Sequence, residues 1–280
     1  MNIAAAIANA AAVLEDAGIP EPRREASSLL AFVIKEDAAF LIAHSNDSLA
    51  APYKMMFDAC VRRRAKHEPF QYIVGRQEFY GLDFDVTPDV LIPRPETEIL
   101  VEKAIDLLSH IDTPRFYEIG VGSGCISVSI VHSMKTASGV GVDISGKALF
   151  VATRNAETNN VADRLTLRQG DLFDGLNERF QMIVSNPPYI PIAELAALQP
   201  EVRDFEPHTA LSGGDDGLDV IRRIVTGAPE FLETQGYLLL EIGFDQAERV
   251  VDLFDQTLWQ PPETLPDLQQ IPRIVVARFR

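Results

Sequence analysis

Cysteine is scarce in this chain: Cys60 and Cys125 are the only two among 280 residues, and they form no paired spacing. That gives no basis for a disulfide framework and suits a reducing cytoplasm, the expected location. Histidine is nearly as sparse. His44, His67, His110, His132 and His208 are scattered without ligand spacing, so no metal site is expected. Positive charge is also short: 25 Lys and Arg stand against 41 Asp and Glu, a net charge of −16. Such a surface disfavours a broad polyanion footprint, so nucleic acid is not an expected partner, though a local basic patch would escape that argument. No apolar run approaches the length of a membrane span, so no membrane association is expected. The Ala-rich start to Leu14 has no charged n-region before Arg23 and runs into Glu15-Asp16, so it reads as a first core helix rather than a signal peptide.

What is present is ordinary globular composition, 46% apolar and 24% charged, in a chain long enough for one large domain or two smaller ones. Residues 1–70 read as a helical domain. Ile3, Ile7 and Leu14 mark one apolar face, ended by Gly18 and Pro20, and further helices are expected over about 23–33, 38–44 and 52–67. The last carries Arg62-Arg63-Arg64 and Lys66, either a solvated helix face or a docking patch. From Gln71 to Leu91, Ile73, Val74, Phe79, Tyr80, Leu82, Phe84 and Val86 sit among Gly75, Gly81 and Pro88, which predicts a β-hairpin linker over 71–92. Residues 93–280 form the remaining domain. There strands and helices alternate from Pro114 onward, the pattern of an α/β fold with a mostly parallel sheet and helices on both faces. The strand candidates are Phe116–Gly120, Gly139–Asp143, Leu165–Gln169, Met182–Ser185, Tyr237–Glu241 and Ile274–Phe279.

Asn186-Pro187-Pro188-Tyr189 follows the apolar run Gln181–Ser185 and so sits at a strand's C-terminal mouth, where open α/β sheets place their chemistry. The prolines remove two backbone donors and stiffen the turn, leaving its carbonyls unpaired. Asn186 offers an acceptor and Tyr189 a flat face, a combination suited to a planar NH2 group. Upstream, Gly120-Val121-Gly122-Ser123-Gly124 ends one strand and opens a helix. This is either a tight strand–helix turn or a loop that lets a ligand approach the backbone. Asp143 ends the next strand 19 residues after Gly124, where its carboxylate can accept two ribose hydroxyls. Asp171 ends the third, where it could meet an adenine amino group. No lysine follows the loop in Walker fashion, so an adenosine ligand without a triphosphate, such as S-adenosylmethionine, fits.

This motif set resembles that of the S-adenosylmethionine methyltransferases that act on amino groups of DNA adenine, RNA guanine or protein glutamine. Glu68-Pro69-Phe70-Gln71-Tyr72-Ile73-Val74-Gly75, Glu78-Phe79-Tyr80-Gly81 and Leu91-Ile92-Pro93-Arg94-Pro95-Glu96-Thr97-Glu98 more particularly resemble the release-factor glutamine methyltransferases. Phe205-Glu206-Pro207 and Gly213-Gly214-Asp215-Asp216-Gly217-Leu218 resemble the same family. The resemblance implies a Rossmann-like methyltransferase domain with a mostly parallel seven-stranded sheet, preceded by a small all-helical domain that recognises the substrate. It implies methyl transfer to the side-chain amide nitrogen of the glutamine in the Gly-Gly-Gln loop of peptide chain release factors, by a monomer. Gly120, Val121, Gly122, Ser123, Gly124, Asp143, Asp171, Leu172 and Asn186 would hold S-adenosylmethionine. Asn186, Pro187, Pro188 and Tyr189 would receive the glutamine, with Asn186, Pro187 and Tyr189 as the catalytic set. The Asn186 oxygen and the Pro187 carbonyl would accept its two N–H bonds, and Tyr189 would pack on the amide plane.

Two departures stand out. Leu172 replaces an aromatic found beside the adenine in many relatives, and Gln269-Gln270-Ile271-Pro272-Arg273 replaces a glycine-containing turn, which puts the final hairpin's geometry in question. Arg94 to Glu98 have two readings: a cover over the methionine end of the cofactor, with Thr97 or Glu98 near its amino group, or a helix start set by Pro95. Cys125 reads as a packing residue. Two other functions stay open: a nucleic-acid amino methyltransferase, for which Arg62 to Lys66 is the one basic surface, and a cofactor-binding scaffold without turnover.

Overall fold

Residues 1–75 build five helices: α1 (Ile3–Asp16), α2 (Pro22–Ile34), α3 (Ala38–Ala43), α4 (Ala51–Arg64) and α5 (Phe70–Val74). Asn2 starts α1 by accepting the Ala5 N–H at 2.8 Å, and Asp37 starts α3 by accepting that of Phe40. Their apolar faces enclose Leu14, Leu29, Leu30 and Phe57. The computed structural model describes all 280 residues and divides into two units. These helices form the first together with 199–205; the second comprises 76–198 and 206–280.

The basic run of the first unit is a solvated face except at Arg64, which turns inward. Arg64 is only 5% exposed and donates to the carboxylates of Glu25 and Glu201, both at 3.1 Å. Arg63 forks onto Glu68. A buried cation persists only when paired and hydrogen-bonded, and Arg64 meets that condition. Arg62 and Lys66 are left on the surface.

The hairpin expected over 71–92 is shorter. Gln71 to Val74 continue a helical turn, which ends at Gly75 in the left-handed region (φ 77°), where the Gly75 N–H closes on the Gln71 carbonyl at 2.7 Å. The β-branched pair Ile73-Val74 suggested a strand, but Ile73 is instead packed into the helical core. The antiparallel hairpin is β1 (Arg76–Phe79) with β2 (Leu82–Asp85).

The rest of the second unit runs α6 (Thr97–Leu108), β3 (Arg115–Ile119), α7 (Cys125–Ser133), β4 (Ser138–Asp143), α8 (Gly146–Thr158), β5 (Leu165–Gln169) and β6 (Phe180–Ser185). After α9 (Pro200–Phe205), which belongs to the first unit, come α10 (Asp219–Gly227), β7 (Leu232–Glu241), α11 (Ala247–Val251), β8 (Glu263–Pro266) and β9 (Pro272–Arg278). The seven strands order as β5-β4-β3-β6-β7-β9-β8; β9 pairs antiparallel with β7 and β8, and the other pairs are parallel. The expected α/β architecture is the one adopted. Period-two alternation sends Phe116, Met182, Val184 and Leu239 into one core with α6 and α7. It sends Tyr117, Ile183, Leu238 and Leu240 into the other, with α10 and α11.

Strand β8 escaped sequence reading because it is a short edge strand whose residues are mostly exposed. The turn joining it to β9 closes without glycine, with a register shift between Leu265 and Pro266. Asp267 accepts the Gln269 and Ile271 N–H groups at 2.8 and 3.0 Å, and Gln270 takes the left-handed position at φ 64°. Since that conformation costs an L-residue roughly 1–2 kcal/mol and glycine little, Gln270→Gly is expected to stabilise the fold by about 0.5–1 kcal/mol. A higher urea midpoint at constant slope is the check.

Candidate active site

Strand order reverses between β3 and β6, since β4 and β5 extend one way from β3 while β6 opens the other side. That switch point is where an open α/β sheet leaves a crevice at its strand ends. Ile119 at the end of β3 pairs with Ser185 at the end of β6, and the Ser185 hydroxyl donates to the Ile119 carbonyl at 2.7 Å. The glycine loop and the Asn-Pro-Pro-Tyr turn, which follow these residues, are therefore neighbours. Gly120, Gly122 and Gly124 all lie at positive φ (74°, 56° and 82°), which lets the loop turn sharply into α7.

The loop is fixed by Asp143. One carboxylate oxygen accepts the Gly122 N–H at 2.9 Å and the other the Ser145 N–H at 2.8 Å. Each oxygen keeps a second acceptor site, enough for the two hydroxyls of a ribose. Loop, turn and Asp143 line one cavity of about 730 Å³, within the range of small-molecule sites.

Its remaining wall includes Asp171, Leu172 and Glu118. Asp171 forms an ion pair with Arg223 at 2.7 Å. Leu172 stands at φ 50°, held by the Tyr117 hydroxyl donating to its carbonyl at 2.6 Å, while Arg168 donates to that hydroxyl at 2.9 Å. Glu118 is fully buried. Its Oε2 accepts from the backbone and hydroxyl of Ser127, but its Oε1 has no hydrogen-bond partner. Burial pushes this carboxyl up to about 8. A buried acceptor without a donor on a cavity wall is suited to a ligand that brings one, such as the α-ammonium of a methionyl group. With the Asp143 carboxylate and the apolar side chains of Val121 and Leu172, these residues fit S-adenosylmethionine. Cys125 is on the wall too, but burial pushes its thiol up to about 12, so it is an inert packing residue.

The turn is oriented by residues far away in sequence. The Asn186 side-chain N–H donates to the Thr97 hydroxyl at 3.2 Å, and that hydroxyl donates to Glu241 at 2.6 Å. The Tyr189 hydroxyl points to the other Glu241 oxygen at 3.5 Å. Because Thr97 gives its single proton to Glu241, it meets Asn186 as an acceptor, so the Asn186 oxygen is the end left for a ligand. No group in the chain donates to that oxygen or to the Pro187 carbonyl.

Not all of the turn's carbonyls are free, contrary to expectation: that of Tyr189 accepts from Gln246 at 2.9 Å. Gly213 and Gly217 close the turn from behind, where a Cβ would lie 2.7 Å from the Pro188 carbonyl and 2.3 Å from that of Tyr189. Asn186, Pro187 and Pro188 line the cavity, whereas the half-buried Tyr189 ring packs against the core beside it. Arg94 lines the cavity and forks onto buried Glu206 at 2.6 and 2.7 Å. Glu98 is not on the cavity wall; it accepts the Tyr80 N–H of the hairpin. Glu118, Glu241 and Gln246 were missed from the sequence. The first two had a signal: single acids inside apolar strand runs, Tyr117-Glu118-Ile119 and Leu240-Glu241-Ile242.

Comparison with known proteins follows this geometry. A family model for the PrmC N-terminal domain matches residues 5–75, and one for the methyltransferase small domain matches 97–197. The release factor glutamine methyltransferase of Geobacter sulfurreducens is 46% identical over 95% of this chain and 93% of its own. That of Cereibacter sphaeroides is 44% identical over 100% of this chain and 99% of its own. Among solved structures, the hMettl16 catalytic domain superposes with a TM-score of 0.58 at 16% identity, covering 89% of this chain and 90% of that one. A methyltransferase from Pyrococcus furiosus superposes at 0.54 and 17%, covering 78% and 98%. At such identities these two share the fold alone.

Proposed function

The chain belongs to the release factor glutamine methyltransferases, S-adenosylmethionine-dependent enzymes that methylate a release-factor glutamine, and from that premise we propose how its residues divide the work. Gly120 to Gly124, Asp143, Asp171 and Leu172 hold the cofactor, with Glu118 taking its ammonium. When bound, S-adenosylmethionine supplies a methyl group on a sulfonium. Asn186 Oδ1 and the Pro187 carbonyl accept the two N–H bonds of the glutamine amide, whose site is the Gly-Gly-Gln loop. That amide nitrogen is a poor nucleophile because its lone pair is shared with the carbonyl. Two acceptors fixed on a proline-stiffened turn favour its pyramidal form and aim the lone pair. Positioning of this kind is worth up to about 7–11 kcal/mol in favourable cases. The Tyr189 ring, beside the cavity and not on its wall, braces the turn against the core and Glu241 instead of packing on the amide plane. Its phenol is raised by burial and by Glu241, so it stays protonated and is no general base.

The observation that carries this reading is the pair of unsatisfied acceptors, Asn186 Oδ1 and the Pro187 carbonyl, on a turn that lines the cavity. A nucleic-acid amine as substrate depended on the basic run, whose Arg63 and Arg64 are committed to internal pairs. Incubation with methyl-labelled cofactor and, separately, release factor, duplex DNA and ribosomal RNA tests the assignment. Label is expected on release factor and lost when its loop glutamine is alanine. Label on nucleic acid alone overturns it.

A further inference from the structure

We propose that Thr97 and Glu241 are positioning residues for methyl transfer, which together decide which end of the Asn186 side-chain amide faces the substrate. This rests on the reading that Asn186 accepts from the glutamine amide. An asparagine amide has two ends of nearly equal shape and opposite hydrogen-bonding sense, so an acceptor role requires something to fix its rotation. Prolines fix the backbone of the turn and leave that rotation free. Thr97 supplies the constraint, at 3.2 Å from Asn186 and 2.6 Å from Glu241.

The constraint depends on the charge of Glu241. As a carboxylate, Glu241 only accepts, so Thr97 donates to it and accepts from the Asn186 N–H, leaving the Asn186 oxygen to the substrate. Once protonated, Glu241 can donate to Thr97 and release the Thr97 proton towards Asn186. The amide then turns, and its NH2 meets the NH2 of the glutamine, donor against donor. Around Glu241 stand Thr97 and Glu96 at the start of α6, Tyr189 of the turn, Arg273 on β9 and Cys125 on α7. Burial is the largest influence and, aided by Glu96, raises this carboxyl to about 7 against Thr97, Arg273 and Tyr189. Transfer therefore switches on as pH rises through that region.

The test uses the full-length enzyme with saturating cofactor and release factor. Thr97→Val is expected to lower kcat by about tenfold or more, with KM and cofactor affinity within about twofold, and Thr97→Ser to restore it to within about threefold. The wild type is expected to show an acid limb in kcat near pH ~7, which Thr97→Val and Glu241→Gln both lose. Glu241→Gln keeps an acceptor but cannot titrate, so it reads the limb even if Thr97→Val folds poorly. A Thr97→Val enzyme with wild-type kcat, failure of Thr97→Ser to restore it, or an acid limb surviving in Glu241→Gln each overturns the proposal. Asn186→Ala separates the levels: if it is inactive while Thr97→Val is fully active, only the positioning role fails. If Asn186→Ala is itself active, the underlying reading fails.

Discussion

Asn186→Ala is expected to lower kcat by about 10²–10³-fold, the range seen when one preorganised hydrogen-bonding group is removed from a reacting centre. Cofactor affinity should stay within about twofold, because the loop and Asp143 that hold the cofactor are built on β3 and β4 and do not hydrogen-bond through Asn186. The fold should survive as well. The side chain's sole internal bond is to Thr97, which keeps Glu241 as its own partner. Calorimetry for the cofactor and single-turnover kinetics for the methyl step separate the two effects. Loss of cofactor binding in parallel with rate would mean that Asn186 serves the cofactor and not the glutamine.

Glu118→Gln carries the second large effect, and its two consequences differ in sign. The folded-state carboxyl lies at about 8 against an ordinary value of 4.5. The folded chain therefore keeps its proton in a range where the unfolded chain has released it. Stability of the cofactor-free protein is fully present below the ordinary value and is lost as pH rises through the folded one. The loss is on the order of 3–5 kcal/mol by pH ~8. Glutamine keeps the shape and cannot ionise, so the variant's denaturant midpoint should be flatter between pH ~5 and pH ~8 and exceed the wild type's at the upper end. Above pH ~8, where the wild-type carboxyl is ionised, cofactor binding should weaken by about tenfold, since the ammonium loses its charged partner. A purely structural Glu118 would give the first result without the second.

The sheet was largely legible because its central strands are apolar runs buried on both faces, and the sites at their ends follow from parallel topology. Gly120, Asp143 and Asn186 needed only strand ends to be placed beside one another. The support around Asn186 was not legible. Thr97 is 89 positions from Asn186 and 144 from Glu241, so no spacing rule joins them. They meet because α6 begins beside the ends of β6 and β7. The hairpin was overdrawn because β-branched residues also fill helical turns when a core claims them, as it claims Ile73. The turn at Gln270 was doubted for lack of glycine, yet the Asp267 side chain supplies its bonds.

The central claim is that the Asn-Pro-Pro-Tyr turn offers two fixed acceptors to one glutamine amide. The most direct measurement is a crystal structure of the full-length enzyme with demethylated cofactor and a release factor carrying an unmodified loop glutamine. The expected result is a glutamine side-chain nitrogen about 2.8–3.1 Å from both the Asn186 oxygen and the Pro187 carbonyl, with the Asn186 nitrogen turned to Thr97. A glutamine held by other groups, or an Asn186 nitrogen facing it, would contradict the account.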